Sequence, residues 1–155
     1  MRPDAGRPRR YDRLGAARDP AAVTEPGVVP VALNITDTQS IAQLRRQCPD
    51  VGLLVNNAGT MTRSPLIGAA TMDGARLEME TSYFGTLAMC RALAPALTAN
   101  GGGALVNMLS IVSWFTNSMN GSYGASKAAA WAMTNGVRIE LAPADPGCRS
   151  PRGLR

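Results

Sequence analysis

Short apolar runs that end in turn residues recur along the middle of the chain. The sequence predicts strands within 27–35, 51–59 and 101–110, each rich in β-branched or aliphatic residues and bounded by glycine or asparagine. Their apolar character is nearly continuous rather than alternating, which is typical of strands buried in a parallel sheet.

Helical patterns separate these strands. Apolar residues recur at helical spacing in 37–47, where Asp37 is the expected N-cap, and from about Met72 to Leu97, with a break expected near Glu80. A last helix is predicted from about Ser122 to Leu141. Alternating strands and helices predict an α/β fold, a doubly wound parallel sheet covered by helices on both faces.

The net charge of +5 comes from the two ends of the chain. Residues 1–20 carry six arginines against three acidic residues, and 141–155 carry three against one, whereas 21–140 carry seven of each sign. Basic arms that bind phosphates are one interpretation. Solvated tails are the favoured one, because no aromatic residue or nucleic-acid motif accompanies the charge, so no nucleic-acid partner is expected.

Length and cysteine content limit the class of protein. The 155 residues fit one modest domain and contain no run of about 18 apolar residues, so we expect a cytoplasmic protein without membrane contact. Cys48, Cys90 and Cys148 are widely spaced and the chain has no histidine, so we expect reduced thiols and no metal site.

Chemically suggestive residues follow the predicted strands, where α/β sheets bind ligands. Asn56–Gly59 follows one strand, Ser110 follows the next, and Tyr123 and Lys127 open the last helix one turn apart. Taken singly, each has a structural explanation as a turn, a common strand end or a surface lysine. Together they place a phenol, an ammonium and a hydroxyl at one edge.

Lys127 is the only lysine in a chain with fifteen arginines. An ammonium near a phenol favours the phenolate and lowers its pKa from about 10, which makes tyrosine a usable general acid and base. The compact ammonium can also donate hydrogen bonds to the hydroxyls of a nucleotide ribose.

The whole set resembles the short-chain dehydrogenase/reductase family. The similarity rests on "LLVNNAG", "ETSYFGTLAMC", "GGALVNMLS" and "GSYGASKAAAW", extends over about residues 15–142, and implies a Rossmann-like domain with a weak strand near Leu14–Ala17. The segments 1–14 and 143–155 are then irregular basic ends.

The resemblance implies roles for these residues. Tyr123 would be the proton donor or acceptor, Lys127 would hold the nicotinamide ribose, and Ser110 would bind the substrate, a small alcohol or carbonyl that exchanges a hydride with NADP(H) or NAD(H). The implied cofactor-binding set is Arg18, Asn34, Asn56, Asn57, Ala58, Gly59, Tyr123 and Lys127. Arg18 lies where a basic residue favours a phosphorylated ribose, so NADP(H) is preferred over NAD(H).

Three departures from the family pattern shape the expectations. Ser82 stands where the family has an asparagine that holds a water in the proton relay. The glycine-rich phosphate turn and the C-terminal lid have no counterpart, so we expect a fold incomplete at both ends, with a break between the strand near Leu14 and the one ending at Asn56. A catalytically inactive, truncated or frame-shifted remnant is therefore the alternative function, and self-association through the last two helices is a further expectation.

Overall fold

The computed structural model describes residues 13–118 and 120–142. The alternation of strands and helices predicted from the sequence is confirmed: β1 (Arg13–Ala17), β2 (Val28–Ala32), α1 (Thr38–Gln47), β3 (Leu53–Asn56), α2 (Asp73–Met79), α3 (Thr86–Ala99), β4 (Ala104–Asn107) and α4 (Gly121–Leu141). Strand β1 begins two residues before the expected start of the domain. Most of the basic ends 1–20 and 141–155 lies outside the described residues, as does Cys148; the described part of the first end contains β1.

The four strands form two separate parallel pairs. β1 pairs with β2, from Arg13 opposite Val28 to Ala17 opposite Ala32. β3 pairs with β4, from Leu53 opposite Ala104 to Asn56 opposite Asn107. Since β1 and β3 are not hydrogen-bonded to each other, the expected break in the sheet is confirmed.

One face of the strands carries the core. Leu54 of β3 and Val31 of β2 pack with buried residues of α1 and α3, in a cluster formed by Val31, Leu33, Ile41, Leu44, Cys48, Leu54, Met89, Leu93 and Leu97. Helix α1 presents Ile41 and Leu44 to this cluster, and Asp37 caps it by accepting a hydrogen bond from the Gln39 amide.

The expectation that helices cover both faces of the sheet is wrong for the described residues. Leu53 and Val55 flank the buried Leu54 on β3 and are 57% and 51% exposed, and Val106 of β4 is 41% exposed. Because successive side chains of a strand point to opposite faces, these three residues lie on the face opposite the core. The described helices therefore leave that face open to solvent.

The long helical region does not end at the break predicted near Glu80 but changes type there. Between α2 and α3 the backbone stays helical through a π-helical segment, Glu80–Gly85. Gly85 packs tightly on Ile35, since a Cβ at this position would lie 2.8 Å from that side chain. π-Helical turns are rare and often occur at functional sites. Here the segment carries Ser82 inward.

Candidate active site

Residues from the ends of β3 and β4 and from the first turns of α4 line one open pocket. Its volume is about 280 Å³, and it is lined by Asn57, Gly59, Thr60, Met61, Met108, Leu109, Tyr123 and Lys127. The strand ends therefore meet the predicted tyrosine and lysine, as expected for a ligand site in a parallel α/β sheet. Lys127 is the one ionic side chain among these lining residues.

The lysine is buried and held. Only 5% of Lys127 is exposed, and its Nζ donates a hydrogen bond of 2.8 Å to the backbone carbonyl of Met108. The same Nζ lies 5.8 Å from the centroid of the Tyr123 ring. Burial lowers the pKa of Lys127 from its usual 10.5, because desolvation disfavours the charged form.

Ser110 adjoins the pocket but does not line it. Its hydroxyl caps the short 3₁₀ turn Ile111–Ser113 by accepting a 3.4 Å hydrogen bond from the Val112 amide. Its own amide donates to the Ser113 hydroxyl at 3.4 Å. The preceding residue, Leu109, reaches the pocket wall.

Two residues of the motif Asn56–Gly59 line the pocket, and a third bonds the neighbouring strand. Asn57 and Gly59 line the pocket, whereas Asn56 turns into the protein. Its Nδ2 donates to Asn107 Oδ1 at 2.9 Å, and Asn107 Nδ2 donates to Thr134 Oγ1 at 2.9 Å. Asn56 thus ties β3 through β4 to α4. Ala58 is exposed and does not line the pocket.

Arg18 and Asn34 lie at the ends of the other pair of strands. Arg18 follows β1 and is exposed. Asn34 follows β2, and its Oδ1 closes a local turn by accepting from the amide and the hydroxyl of Thr36. Neither residue lines the pocket that holds Tyr123 and Lys127.

Ser82 faces the same region from the π-helical segment. Its side chain is 1% exposed, and its Oγ is a buried polar atom without a hydrogen-bond partner in the described structure. A Cβ built on Gly59 would lie 3.5 Å from Lys127 Nζ and 4.0 Å from Ser82 Oγ. The hydroxyl and the ammonium therefore approach the same glycine.

Sequence reasoning missed Glu78. This residue of α2 is fully buried, with 0% of its surface exposed. Its Oε1 accepts hydrogen bonds from the amide and the hydroxyl of Thr62, and its Oε2 bonds the hydroxyl of Ser122. A glutamate in "RLEMETS" gives no signal of burial, since charged residues usually lie on the solvent face of a helix.

Three further observations concern the thiols, metal ligands and membrane-spanning helices. Cys48 and Cys90 are free thiols whose pKa values burial raises. Across 13–118 and 120–142, no three histidine, cysteine or acidic side chains come together as metal ligands. Within those ranges, no helix has the length and apolarity needed to span a bilayer.

The fold agrees with comparisons to known proteins. The short chain dehydrogenase family model matches residues 10–145, so the chain belongs to the short-chain dehydrogenase/reductase family. It has that family's Rossmann-like α/β fold.

Individual relatives sharpen the comparison. An NADPH-dependent 1-acyldihydroxyacetone phosphate reductase of Schizosaccharomyces pombe is 32% identical over 126 residues, which are 78% of this chain and 42% of that protein. A sorbitol dehydrogenase of Cereibacter sphaeroides is 34% identical over 133 residues, 83% of this chain and 52% of that protein. The chain thus spans about half the length of these curated relatives.

Solved structures match in the same way. The crystal structure of a short chain dehydrogenase from Burkholderia cenocepacia J2315, in complex with NADP, superposes with a TM-score of 0.78 at 44% identity. The match covers 83% of this chain and 54% of that one. A short-chain dehydrogenase from Streptomyces avermitilis is 28% identical with a TM-score of 0.75, over 86% and 54% of the two chains.

Proposed function

We propose that this chain carries the proton-transfer side of an NADP(H)-dependent oxidoreductase that acts on a small alcohol or carbonyl. The observation that carries the proposal is the shared pocket of Tyr123 and Lys127, with the only lysine of the chain buried and fixed on the Met108 carbonyl. Family membership supports hydride-transfer chemistry.

Tyr123 moves the proton in this proposal. Its phenolic oxygen gives a proton to the carbonyl oxygen of the substrate during reduction and takes one during oxidation. The ammonium of Lys127, whose Nζ lies 5.8 Å from the centroid of the Tyr123 ring, attracts the negative charge that develops on the phenolic oxygen during the transfer. In the proposal, Ser110 orients the substrate from the edge of the pocket, where its hydroxyl can donate a hydrogen bond while it accepts one from the Val112 amide.

The residues of the pocket fit the nicotinamide-ribose end of the cofactor. An ammonium has three donors, and the bond to Met108 uses one, which leaves two for ribose hydroxyls. Asn57 and Gly59 supply the wall beside them. When bound, the nicotinamide ring supplies or accepts the hydride.

The preference for NADP(H) over NAD(H) rests on Arg18. In the proposal its guanidinium pairs with a 2′-phosphate, with Asn34 beside the adenine and Asn56 and Ala58 supporting the wall formed by Asn57 and Gly59. Support comes from one relative that is named NADPH-dependent and one solved relative in complex with NADP.

Titration with NADPH tests the proposal. We expect saturable enhancement or quenching of NADPH fluorescence by the purified chain and oxidation of NADPH on addition of a test ketone. Tyr123→Phe should abolish the oxidation and keep the binding. A chain that binds NADPH without any turnover on a panel of small ketones and alcohols would contradict the catalytic part of the proposal.

The alternative is a catalytically inactive remnant, truncated or frame-shifted, without productive cofactor binding. It is favoured by the separation of the strands into two pairs and by the unpartnered hydroxyl of Ser82. Absence of NADPH binding would support it. Translation of the flanking DNA in three frames tests the frame-shift version, which predicts the missing strand and glycine turn in another frame.

We also propose self-association through α3 and α4. A shallow apolar depression joins the two helices and is lined by Arg91, Ala94, Pro95, Thr98, Ala99 and Leu141. Ile139 and Trp131 of α4 are 72% and 41% exposed, and such exposed apolar surface favours a partner. Sedimentation velocity tests this: Leu141→Glu should shift a dimer toward monomer, whereas a wild-type chain that is monomeric at all concentrations would contradict it.

A further inference from the structure

Glu78 lies outside the pocket and bonds two residues that are adjacent in sequence to its lining. One carboxylate oxygen, Oε1, accepts from the Thr62 amide at 2.6 Å and from the Thr62 hydroxyl at 2.8 Å. The other, Oε2, bonds the Ser122 hydroxyl at 2.5 Å. A single side chain on α2 thereby joins the segment after β3 to the first turn of α4.

Each end of this connection is next to a pocket residue. Thr62 follows Thr60 and Met61, which form one part of the wall, and Ser122 precedes Tyr123, which forms another part with Lys127. The bonded groups are therefore one or two residues from the lining side chains. One buried side chain thus connects the segments that carry these two parts of the lining.

Two glycines show how closely the same segments pack. A Cβ on Gly74 of α2 would lie 2.7 Å from Thr62 Oγ1, and one on Gly121 would overlap the backbone carbonyl of Ser64. Gly121 also has a φ of 32°, which favours glycine. The segment 62–64 is thus held between α2 and α4, with Glu78 supplying the polar bonds.

We propose that Glu78 is a positioning residue that fixes the distance between the Thr60–Met61 wall and the Tyr123–Lys127 wall. The interaction is a matter of hydrogen-bond geometry, because the three bonding groups are an amide and two hydroxyls rather than a cation. Removal of the carboxylate leaves the buried hydroxyl of Ser122 without its acceptor, which is costly and favours local opening of the pocket.

The only lysine of the chain reports on this opening. An amine-reactive acylating reagent modifies Lys127 and the N-terminus, and peptide mass spectrometry distinguishes the two. In Glu78→Ala we expect Lys127 to be acylated about tenfold faster than in the wild type, the factor that corresponds to about 1.4 kcal/mol of local stability. The N-terminal rate should not change.

Three matched variants separate positioning from general destabilisation. Glu78→Gln keeps an oxygen for Thr62 and an amide that donates to Ser122, so the acylation rate should return to within about twofold of the wild type. Glu80→Ala removes an exposed glutamate two residues away and should have no effect. Ser122→Ala removes only the link to α4, and it replaces Glu78→Ala as the test if that variant does not fold: its acylation rate should exceed that of the wild type.

A core variant supplies the comparison at equal stability. Leu44→Ala weakens the cluster on α1, so it lowers the melting temperature without touching the pocket. Equal acylation rates in Glu78→Ala and Leu44→Ala at matched melting temperatures would overturn the proposal, as would an unchanged rate in Glu78→Ala or a Glu78→Gln rate as high as that of Glu78→Ala.

The catalytic meaning of Glu78 rests on the proposed function, but its structural role does not. In a chain that reduces a ketone, Glu78→Ala should lower kcat more than it raises KM, since wall spacing orients the proton donor. A chain that fails to bind NADPH contradicts the proposed function and leaves the acylation comparison unaffected.

Discussion

The two strand edges that carry predicted cofactor residues differ in how they are built. At the end of β3 and β4, Lys127 is buried, bonded to a backbone carbonyl and connected through the first turn of α4 to Glu78. At the end of β1 and β2, Arg18 is exposed and Asn34 closes a local turn with Thr36. The first edge is preorganised by packing, and the second presents side chains to solvent.

This difference supports the Lys127 edge as the place of the proposed proton transfer. Proton transfer requires groups held at fixed distances in a desolvated setting, which the Lys127 edge provides. Recognition of a phosphate requires charge and can rely on mobile side chains. The pairs β1–β2 and β3–β4 are not hydrogen-bonded to each other, so the two edges are also uncoupled through the sheet.

Replacement of the proposed proton donor should have the largest effect. Tyr123→Phe removes the hydroxyl and keeps the ring next to Lys127, so turnover of a reactive ketone should fall by about 10²- to 10⁴-fold. NADPH affinity, measured by fluorescence titration, should change by no more than about twofold. A variant that retains a tenth of the activity would remove Tyr123 from the mechanism.

The second-largest effect should be a difference in stability loss between substitutions in the packed core and on the open face of the strands. Leu93→Ala deletes a side chain that is 2% exposed in the core, and we expect the free energy of unfolding to fall by about 2–5 kcal/mol. Val55→Ala lies on the open face at 51% exposure and should cost less than about 1 kcal/mol. Urea denaturation measures both. Equal losses would mean that the face of Val55 is covered in solution.

The lowered pKa of Lys127 predicts a pH dependence of stability. Below the lowered pKa of the folded state, Lys127 is protonated in both the folded and the unfolded chain, and the folded state bears the full cost of desolvating the charge. Between that pKa and about 10.5, the pKa of the unfolded state, only the unfolded chain holds the proton. The free energy of unfolding should therefore rise with pH across that window, because of this group. Urea midpoints between pH 7 and 11 test it, with Lys127→Met as the control that lacks this contribution. Identical slopes in the two proteins would contradict the burial of the ammonium.

Arg18 should give the smallest effect. Its side chain is exposed, so Arg18→Ala should weaken NADPH binding by about two- to fivefold and leave NADH binding unchanged. Paired fluorescence titrations with the two cofactors give the ratio directly. Equal loss for NADPH and NADH would assign Arg18 no part in phosphate selection.

Local sequence patterns predicted the helices and strands well. Features that depend on contacts between distant residues could not be predicted from them. The Asp37 cap and the helix opened by Tyr123 and Lys127 follow from residues near each other in sequence. Burial of Glu78 could not be predicted, because its partners Thr62 and Ser122 are 16 and 44 residues away. The open face of β3 was missed because an apolar run does not say how many faces are covered.

The asparagine motif shows the same limit within four residues. Asn56 and Asn57 are adjacent and identical, yet Asn57 lines the pocket and Asn56 bonds Asn107 across the strand pair. Alternation along an extended backbone sends neighbouring side chains to opposite sides. The family resemblance implied that both residues bind the cofactor. Only the three-dimensional pairing of β3 with β4, which places Asn56 opposite Asn107, shows that their side chains have different surroundings.

The central claim is that the pocket of Tyr123 and Lys127 receives the nicotinamide ribose. Because the chain has one lysine, incorporation of ¹³C-lysine gives a single side-chain signal set in an NMR spectrum. Titration with NADP⁺ should shift the Lys127 Cε resonance saturably, and the same titration with adenosine 2′,5′-bisphosphate, which lacks the nicotinamide ribose, should leave it in place. A Lys127 signal that stays unmoved by NADP⁺ while other residues show binding would contradict the claim.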